Sequence, residues 1–215
     1  SGKSNLKKLF LQKEYTLNYA ISQFTKPYLS IWNGVVMGGG IGLSIYGNAR
    51  LATEKVKLAM PETAIGFFPD VGGSYFLSRL SKGMGLYLSL TGHVLNATEI
   101  LSLGLATHYQ RSHRVSSIQQ EYISNGSLPD TKQTPSDSLE ILEHQEFIQN
   151  TFHGDLHTIM DRLNQSSLSF AKKTYAHLFT RCPMSLAVTT ELLKRAEYLS
   201  LKDCLKMEFQ LSQHI

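Results

Sequence analysis

The sequence predicts an α/β (α+β) protein, with a strand-bearing first half followed by a helical second half. Three observations carry this. Residues 28–36, YLSIWNGVV, form an aromatic and β-branched run that passes through Met37 into a triple glycine, Gly38–Gly40, and a short apolar helix. Two further short apolar runs, ARLAT and KLAM, follow among glycine- and proline-punctuated loops. From Ser138 onward apolar residues recur at helical spacing. The chain accordingly divides into a core over 1–110 and a helical region over 111–215.

Each element has a local reason. Residues 3–25 read as a helix, with Leu6, Leu9, Phe10, Tyr15, Leu17, Tyr19, Ala20, Ile21 and Phe24 at helix-like spacing and Pro27 at or just past its end. Glu14 lies on this helix, and by residue type it is an exposed helix former. Residues 28–36 are expected to form one buried strand, and 41–46 a short helix closed by Gly47 and Asn48. Strands at 49–53 and 57–60 flank a polar turn at Glu54-Lys55. Pro61-Glu62-Thr63 leaves the second of them, and 64–69 is an apolar loop containing Phe67 and Phe68. Asp70 is expected to cap a helix running from Val71 to about Leu80.

Further helices are expected at 83–92 and, behind a capping pattern of Asn96 with Glu99, through Leu103 to Gly104. Residues 110–136, with Gly126, Pro129 and Pro135, read as a polar helix–loop connection. Helices then occupy 138–151, 155–163, 166–179, 184–198 and 201–212, with Pro183 in a first turn.

Composition narrows the function classes. Hydrophobic residues make up 42% and charged residues 18%, a soluble globular balance without an apolar run long enough for a membrane span. The basic, polar start SGKSNLKKLF lacks the apolar core of a secretory signal, so export is not expected. A formal charge of +4 permits an anionic ligand, but the Lys and Arg residues are scattered, and no nucleic-acid partner is expected. Lys55 and Lys57 are candidate phosphate contacts, with solvated surface charge the simpler reading. Cys182 and Cys204 are far apart and without a CxxC pattern, so both are expected to pack as small apolar groups. His144, His153, His157 and His177 lack metal-binding spacing and read as surface or satisfied core residues; no metal is implied.

The chemistry concentrates between Val35 and Gly73. A strand, a glycine turn and a helix N-terminus present free backbone N–H groups, and glycine lets a ligand approach them closely. Neither a GxGxxG nor a glycine loop followed by Lys-Ser or Lys-Thr is present, so the common phosphate cradles are missing. The same physics serves an oxyanion hole at Gly38 and Gly39, or simply tight helix–strand packing. Glu62, flanked by Met60, Pro61, Ala64 and Ile65, is expected to be desolvated, which raises a carboxyl pKa. Asp70, facing a helix N-terminus, is expected to stay ionised. Two carboxyls in different environments are how acid and base roles are separated.

VVMGGGIGLS, followed by ATEKVKLAMPETAIGFFPDVGGSYFLSRL, closely resembles the crotonase (enoyl-CoA hydratase/isomerase) superfamily, and within it the 3-hydroxyisobutyryl-CoA hydrolases. The likeness covers about Leu11 to Tyr109 and resumes near SLAVTTELLKRAEYLSLKDCLKMEFQLSQ. It implies a spiral of ββα repeats followed by a C-terminal helical region, with the core over 1–110 shortened at its N-terminus. It implies an acyl-CoA thioester substrate, CoA present only as part of that substrate, no other cofactor, and hydrolysis of 3-hydroxyisobutyryl-CoA in valine catabolism. Glu62 and Asp70 match the family's catalytic positions, the Gly39 N–H its carbonyl-binding position beside Gly38, and Glu14 a substrate contact, against the surface reading given above.

Crotonase-type hydratases carry a Glu two residues after the glycines; here that residue is Gly42, which disfavours hydration. Dienoyl-CoA isomerases share the Asp-Val-Gly step, so isomerisation stays an alternative, as does a non-catalytic, ribosome-associated homologue. The family resemblance also implies a cytoplasmic location in a bacterium or a mitochondrial one in a eukaryote, and allows a homo-oligomer.

Overall fold

A computed structural model describes residues 2–126, 128 and 135–215. Pro129, placed by its sequence in the polar connection, lies outside the described residues. The first helix, α1 (Gly2–Ser22), is followed by five short strands: β1 (Leu29–Trp32), β2 (Val35–Met37), β3 (Ala49–Ala52), β4 (Lys57–Ala59) and β5 (His108–Tyr109). They form two parallel sheets among the described residues. In one, β3 lies between β1 and β5, with Leu29 opposite Ala49 and Leu51 opposite His108. In the other, β2 pairs with β4, Val35 opposite Lys57. Each of the first two turns of the chain thus lays one strand in each sheet before a helical segment, which is the ββα spiral.

The single strand expected over 28–36 is two strands in different sheets. Asn33 and Gly34 bend the chain between them, and the bend is fixed by its neighbours. Thr53 N–H donates to Trp32 O and Lys57 N–H to Gly34 O, while Thr53 Oγ1 donates to Asn33 Oδ1. A continuous apolar run does not reveal such a break, because both strands are partly buried.

The helices between the strands are α2 (Gly39–Gly42), α3 (Gly73–Leu77), α4 (Met84–Thr91) and α5 (Ala97–Ser102). The last begins with the expected capping box, in which Asn96 Oδ1 accepts from Glu99 N–H and Glu99 Oε2 from Asn96 N–H. After β5 come α6 (Val115–Asn125), α7 (Glu140–Glu143), α8 (Gln145–Thr151), α9 (Leu156–Gln165), α10 (Ser169–Leu178), α11 (Pro183–Ala196) and α12 (Leu201–Leu211). The helix expected over 138–151 is broken at His144, whose ring stacks on Phe170 with centroids 4.1 Å apart. Pro183 occupies the first turn of α11, where its missing N–H costs no hydrogen bond.

The core joins both halves. Trp32, Ile41, Leu51, Met84, Leu90, Leu95, Ile100 and Tyr109 are buried, as are Ile148, Phe152, Ile159 and Leu163 from the helical half. Each such side chain contributes roughly 1.5–3 kcal/mol by leaving water. α11 packs on α3 and α4, and α12 packs on α1 and α3, so the helical half closes over the loops that carry Glu62 and Asp70. Cys204 is buried as expected, but Cys182, at the start of α11, is only half-buried; neither cysteine is in a disulfide. Among the described residues, no helix is long and apolar enough to cross a membrane.

Candidate active site

The site begins where β2 hands the chain to α2. Gly38 has φ 51° and ψ −127°, a conformation that side-chain-bearing residues rarely adopt. Its carbonyl accepts from both Ile41 N–H (2.9 Å) and Gly42 N–H (3.3 Å). Gly39 and Gly40 form the first turn themselves, two residues before the expected helix start, and their N–H groups meet no acceptor among the described residues. A Cβ built at Gly39 would lie 2.7 Å from Glu14 Oε1, and one at Gly38 would lie 3.7 Å from Glu62 Oε1. Two carboxyl groups therefore lie against the glycine turn, Glu14 at Gly39 and Glu62 at Gly38.

Glu62 arrives from β4. Pro61 ends the strand, and Glu62–Ile65 make a single 3-10 turn closed by Gly66. Thr63 anchors that turn, its Oγ1 donating to Leu90 O (3.1 Å) and its carbonyl accepting from Cys182 N–H (3.2 Å). Glu62 is 6% exposed, and its Oε2 has no hydrogen-bond partner. Burial pushes its carboxyl up to about 8, with the charges of Asp70 and Glu208 adding to the rise. The desolvation expected from its apolar neighbours is present.

Asp70 departs from expectation in two ways. It does not cap a helix: α3 starts only at Gly73 and ends at Leu77, well short of Leu80. Between them the chain turns through Val71 at φ 52° and Gly72 at φ 81°, with Gly73 N–H donating to Asp70 O. The Asp70 side chain instead accepts from Tyr15 Oη on α1 at 2.7 Å. Nor does a helix end hold it ionised; burial raises its pKa against the opposing pull of the Tyr15 hydrogen bond. The amides at the start of α3 are taken by another residue, Glu208 of α12. Its Oε2 accepts from Gly72 N–H (2.7 Å), and its Oε1 from Ser74 N–H (3.0 Å) and from Ser74 Oγ.

Glu14 is half-buried rather than fully exposed, since its Oε1 rests against Gly39; burial and the nearby Asp70 charge raise its pKa. Lys55 and Lys57 are exposed, as surface charge would be. The structure thus brings Glu14, Gly38, Gly39, Glu62 and Asp70 to one place. Gly42 faces a filled space: a Cβ there would meet Val71 Cβ at 2.6 Å and Asn18 Nδ2 at 2.8 Å. A carboxylate cannot stand at position 42 without moving the turn that follows Asp70.

Two contributors were not found from sequence. Tyr15 counted only as an apolar member of its helix, and its hydroxyl is what ties it to Asp70. Glu208 carried a legible signal, because it falls on the same helical stripe as Leu201, Cys204 and Leu205, and an acidic residue on a buried stripe needs partners.

Comparison with known proteins identifies the family of the chain. A family model described as enoyl-CoA hydratase/isomerase matches residues 1–215. A protein of Xenopus laevis named 3-hydroxyisobutyryl-CoA hydrolase, mitochondrial, is 40% identical over 220 residues, covering 95% of this chain and 57% of that protein. Its Homo sapiens namesake is 35% identical over 226 residues, covering 99% and 58%. Among solved structures, a carnitinyl-CoA dehydratase from Mycobacterium thermoresistibile matches with a TM-score of 0.88 at 35% identity, over 96% of this chain and 62% of that one. An enoyl-CoA hydratase from Rhodobacter sphaeroides 2.4.1 matches with a TM-score of 0.91 at 29% identity, over 99% and 63%. The chain spans little more than half the length of the curated relatives it matches.

Proposed function

Since the chain belongs to the enoyl-CoA hydratase/isomerase family, we propose that it serves the hydrolysis of an acyl-CoA thioester, with 3-hydroxyisobutyryl-CoA as substrate and 3-hydroxyisobutyrate and CoA as products. The observation that carries this reading is Glu62: a buried carboxyl with one unpartnered oxygen beside a glycine turn whose amides are free. The filled space at Gly42 argues against hydration, which in this family uses a second carboxylate there.

The thioester carbonyl oxygen takes the Gly39 N–H, a hydrogen bond that strengthens as negative charge develops on that oxygen. Ionised Glu62 then either removes a proton from the attacking water or attacks the carbonyl carbon itself and is released by water. On the first route a C–O bond forms to water as the C–S bond breaks, and the proton taken from water ends on the CoA sulfur. On the second the C–S bond breaks as the Glu62–acyl anhydride forms; water then cleaves that anhydride, releasing the acid and Glu62 and supplying the proton that neutralises the thiolate. Asp70, fixed through Oδ2 by Tyr15, orients the water or substrate and manages that proton through its remaining oxygen. Glu14 accepts from the substrate 3-hydroxyl, so an acyl group lacking it leaves a half-buried carboxylate without its partner. No metal or redox cofactor enters this reaction. A mitochondrial location, or a cytoplasmic one in a bacterium, goes with the reading.

The test is thiol release from a panel of acyl-CoAs. Hydrolysis of 3-hydroxyisobutyryl-CoA should outpace water addition to crotonyl-CoA. Robust hydration of crotonyl-CoA, or a shift of diene absorbance without thiol release, would replace hydrolysis with the corresponding family reaction.

A further inference from the structure

We infer that Glu208, in the helical half, is a positioning residue for Asp70: its carboxylate clamps the turn from Val71 to Ser74 and thereby fixes where the Asp70 side chain stands. The inference rests on the hydrolase reading, since Asp70 needs a fixed place only if it acts on a substrate.

The turn does not hold itself. Val71 sits at φ 52°, which a β-branched residue keeps only when its surroundings impose it. Two contacts impose it. On one side Tyr46 Oη donates to Val71 O at 3.0 Å, and a Cβ at Gly72 would collide with the same hydroxyl. On the other side Glu208, from 136 residues further along, accepts from Gly72 N–H and from both the N–H and the hydroxyl of Ser74. Glu208 is fully buried, so those three donors replace its water. Asp70 leads directly into this turn, its carbonyl accepting from Gly73 N–H. Moving the turn therefore moves Asp70 against Tyr15.

A fully buried carboxyl is a costly choice for a clamp that only had to be structural, and burial pushes its own pKa up to about 8 against the pull of the Ser74 and Gly72 hydrogen bonds. The groups facing Glu208 are Tyr15 from α1, Tyr46 beyond α2, Ser74 of α3, Asp70 and Glu62 from their loops, and Cys204 from its own helix. Arg79, just past α3, acts on Tyr46 and Cys204. Among the described residues Glu208 forms no ion pair, and when ionised its charge adds to the proton affinity of Glu62. Two such groups that feel one another lose their protons as a pair.

The experiment compares Glu208→Gln and Ser74→Ala with wild type in the full chain, by thiol release across pH and by amide hydrogen exchange. Gln presents an NH2 where the turn offers only donors, and it carries no charge. In Glu208→Gln, kcat should fall roughly tenfold to a hundredfold, as expected for a misplaced group, while KM stays within about threefold. The acid limb of the rate profile should move to lower pH, and the Gly72 and Ser74 amides should exchange faster. Ser74→Ala removes one donor and keeps the charge, so kcat should fall by about threefold to tenfold without the shift to lower pH.

A folded Glu208→Gln with wild-type kcat overturns the inference. So does a slower one whose profile is unmoved and whose loss matches its folded fraction, because that is a structural residue only. If Glu208→Gln fails to fold, Ser74→Ala decides, and wild-type kcat there is equally fatal. A wild-type chain that releases no thiol sinks the hydrolase reading first and the positioning role with it, leaving only the clamp visible by exchange.

Discussion

Glu62 and Asp70 are eight residues apart and both buried, yet their carboxyl groups are held differently. The segment around Glu62 is a 3-10 turn tied at Thr63, by its hydroxyl to α4 and by its carbonyl to Cys182 N–H, with the Glu62 carboxyl itself left unpartnered at Oε2. The segment around Asp70 is held through side chains: Tyr15 on the carboxylate, Tyr46 on the next carbonyl, Glu208 on the amides beyond. A group meant to change its protonation or bonding gains from a rigid backbone and an unsatisfied oxygen. A group meant to orient others gains from having its own position over-determined. The contrast supports the proposed division, with Glu62 reacting and Asp70 orienting.

Removing Glu62 should have the largest effect. Glu62→Gln keeps shape and polarity but cannot ionise, so turnover should drop by about 10²–10⁴-fold with acyl-CoA binding retained. Stability should move the other way. The folded pKa of Glu62 is raised, so the folded state keeps a proton that the unfolded chain has lost between about pH 4.5 and 8. Wild-type stability therefore falls as pH rises through that window, and Glu62→Gln should abolish part of this loss, by up to a few kcal/mol in denaturant titrations at high pH. A slow but more alkali-stable variant would sharpen the contrast; a destabilised one would break it.

Asp70→Asn comes next, with a loss of about a hundredfold in kcat. Because Asp70 caps nothing, α3 should form unchanged, and far-UV circular dichroism should match wild type. Near wild-type turnover would leave Glu62 to act alone. Glu14→Gln should narrow the preference for the 3-hydroxy substrate over isobutyryl-CoA by about ten- to a hundredfold, the value of a hydrogen bond to a charged group of roughly 1.5–3 kcal/mol. Unchanged discrimination would return Glu14 to a surface role. The smallest effect is expected of Tyr15→Phe, which deletes one hydrogen bond to Asp70 and should cost about 1 kcal/mol of stability with a modest fall in kcat. A fall as large as that of Asp70→Asn would mean that Tyr15 itself meets the substrate.

Much of this was legible before any coordinates. The glycine turn, the desolvation of Glu62, the capping box at Asn96 and the first-turn Pro183 all follow from neighbours close in sequence. What misled was long-range competition. Asp70 reads as an N-cap because it precedes a helical pattern, but Glu208 takes the amides that an N-cap would claim, and Tyr15 takes the carboxylate. Local sequence cannot say which of two acids will reach a helix end first. The division of 28–36 between two sheets failed to show for the same reason, since it is fixed by Thr53 and Lys57 from the next turn of the spiral.

If ionised Glu62 does the chemistry, its ionisation must govern the pH dependence of kcat/KM for thiol release. Wild type should lose activity about tenfold per pH unit below an ionisation near 8, because burial holds the proton on Glu62 to that pH. Glu62→Gln should retain only a residual rate without that limb. A wild-type profile flat from pH 6 to about 9, or the same limb persisting in Glu62→Gln, would contradict the claim and assign the titrating group elsewhere.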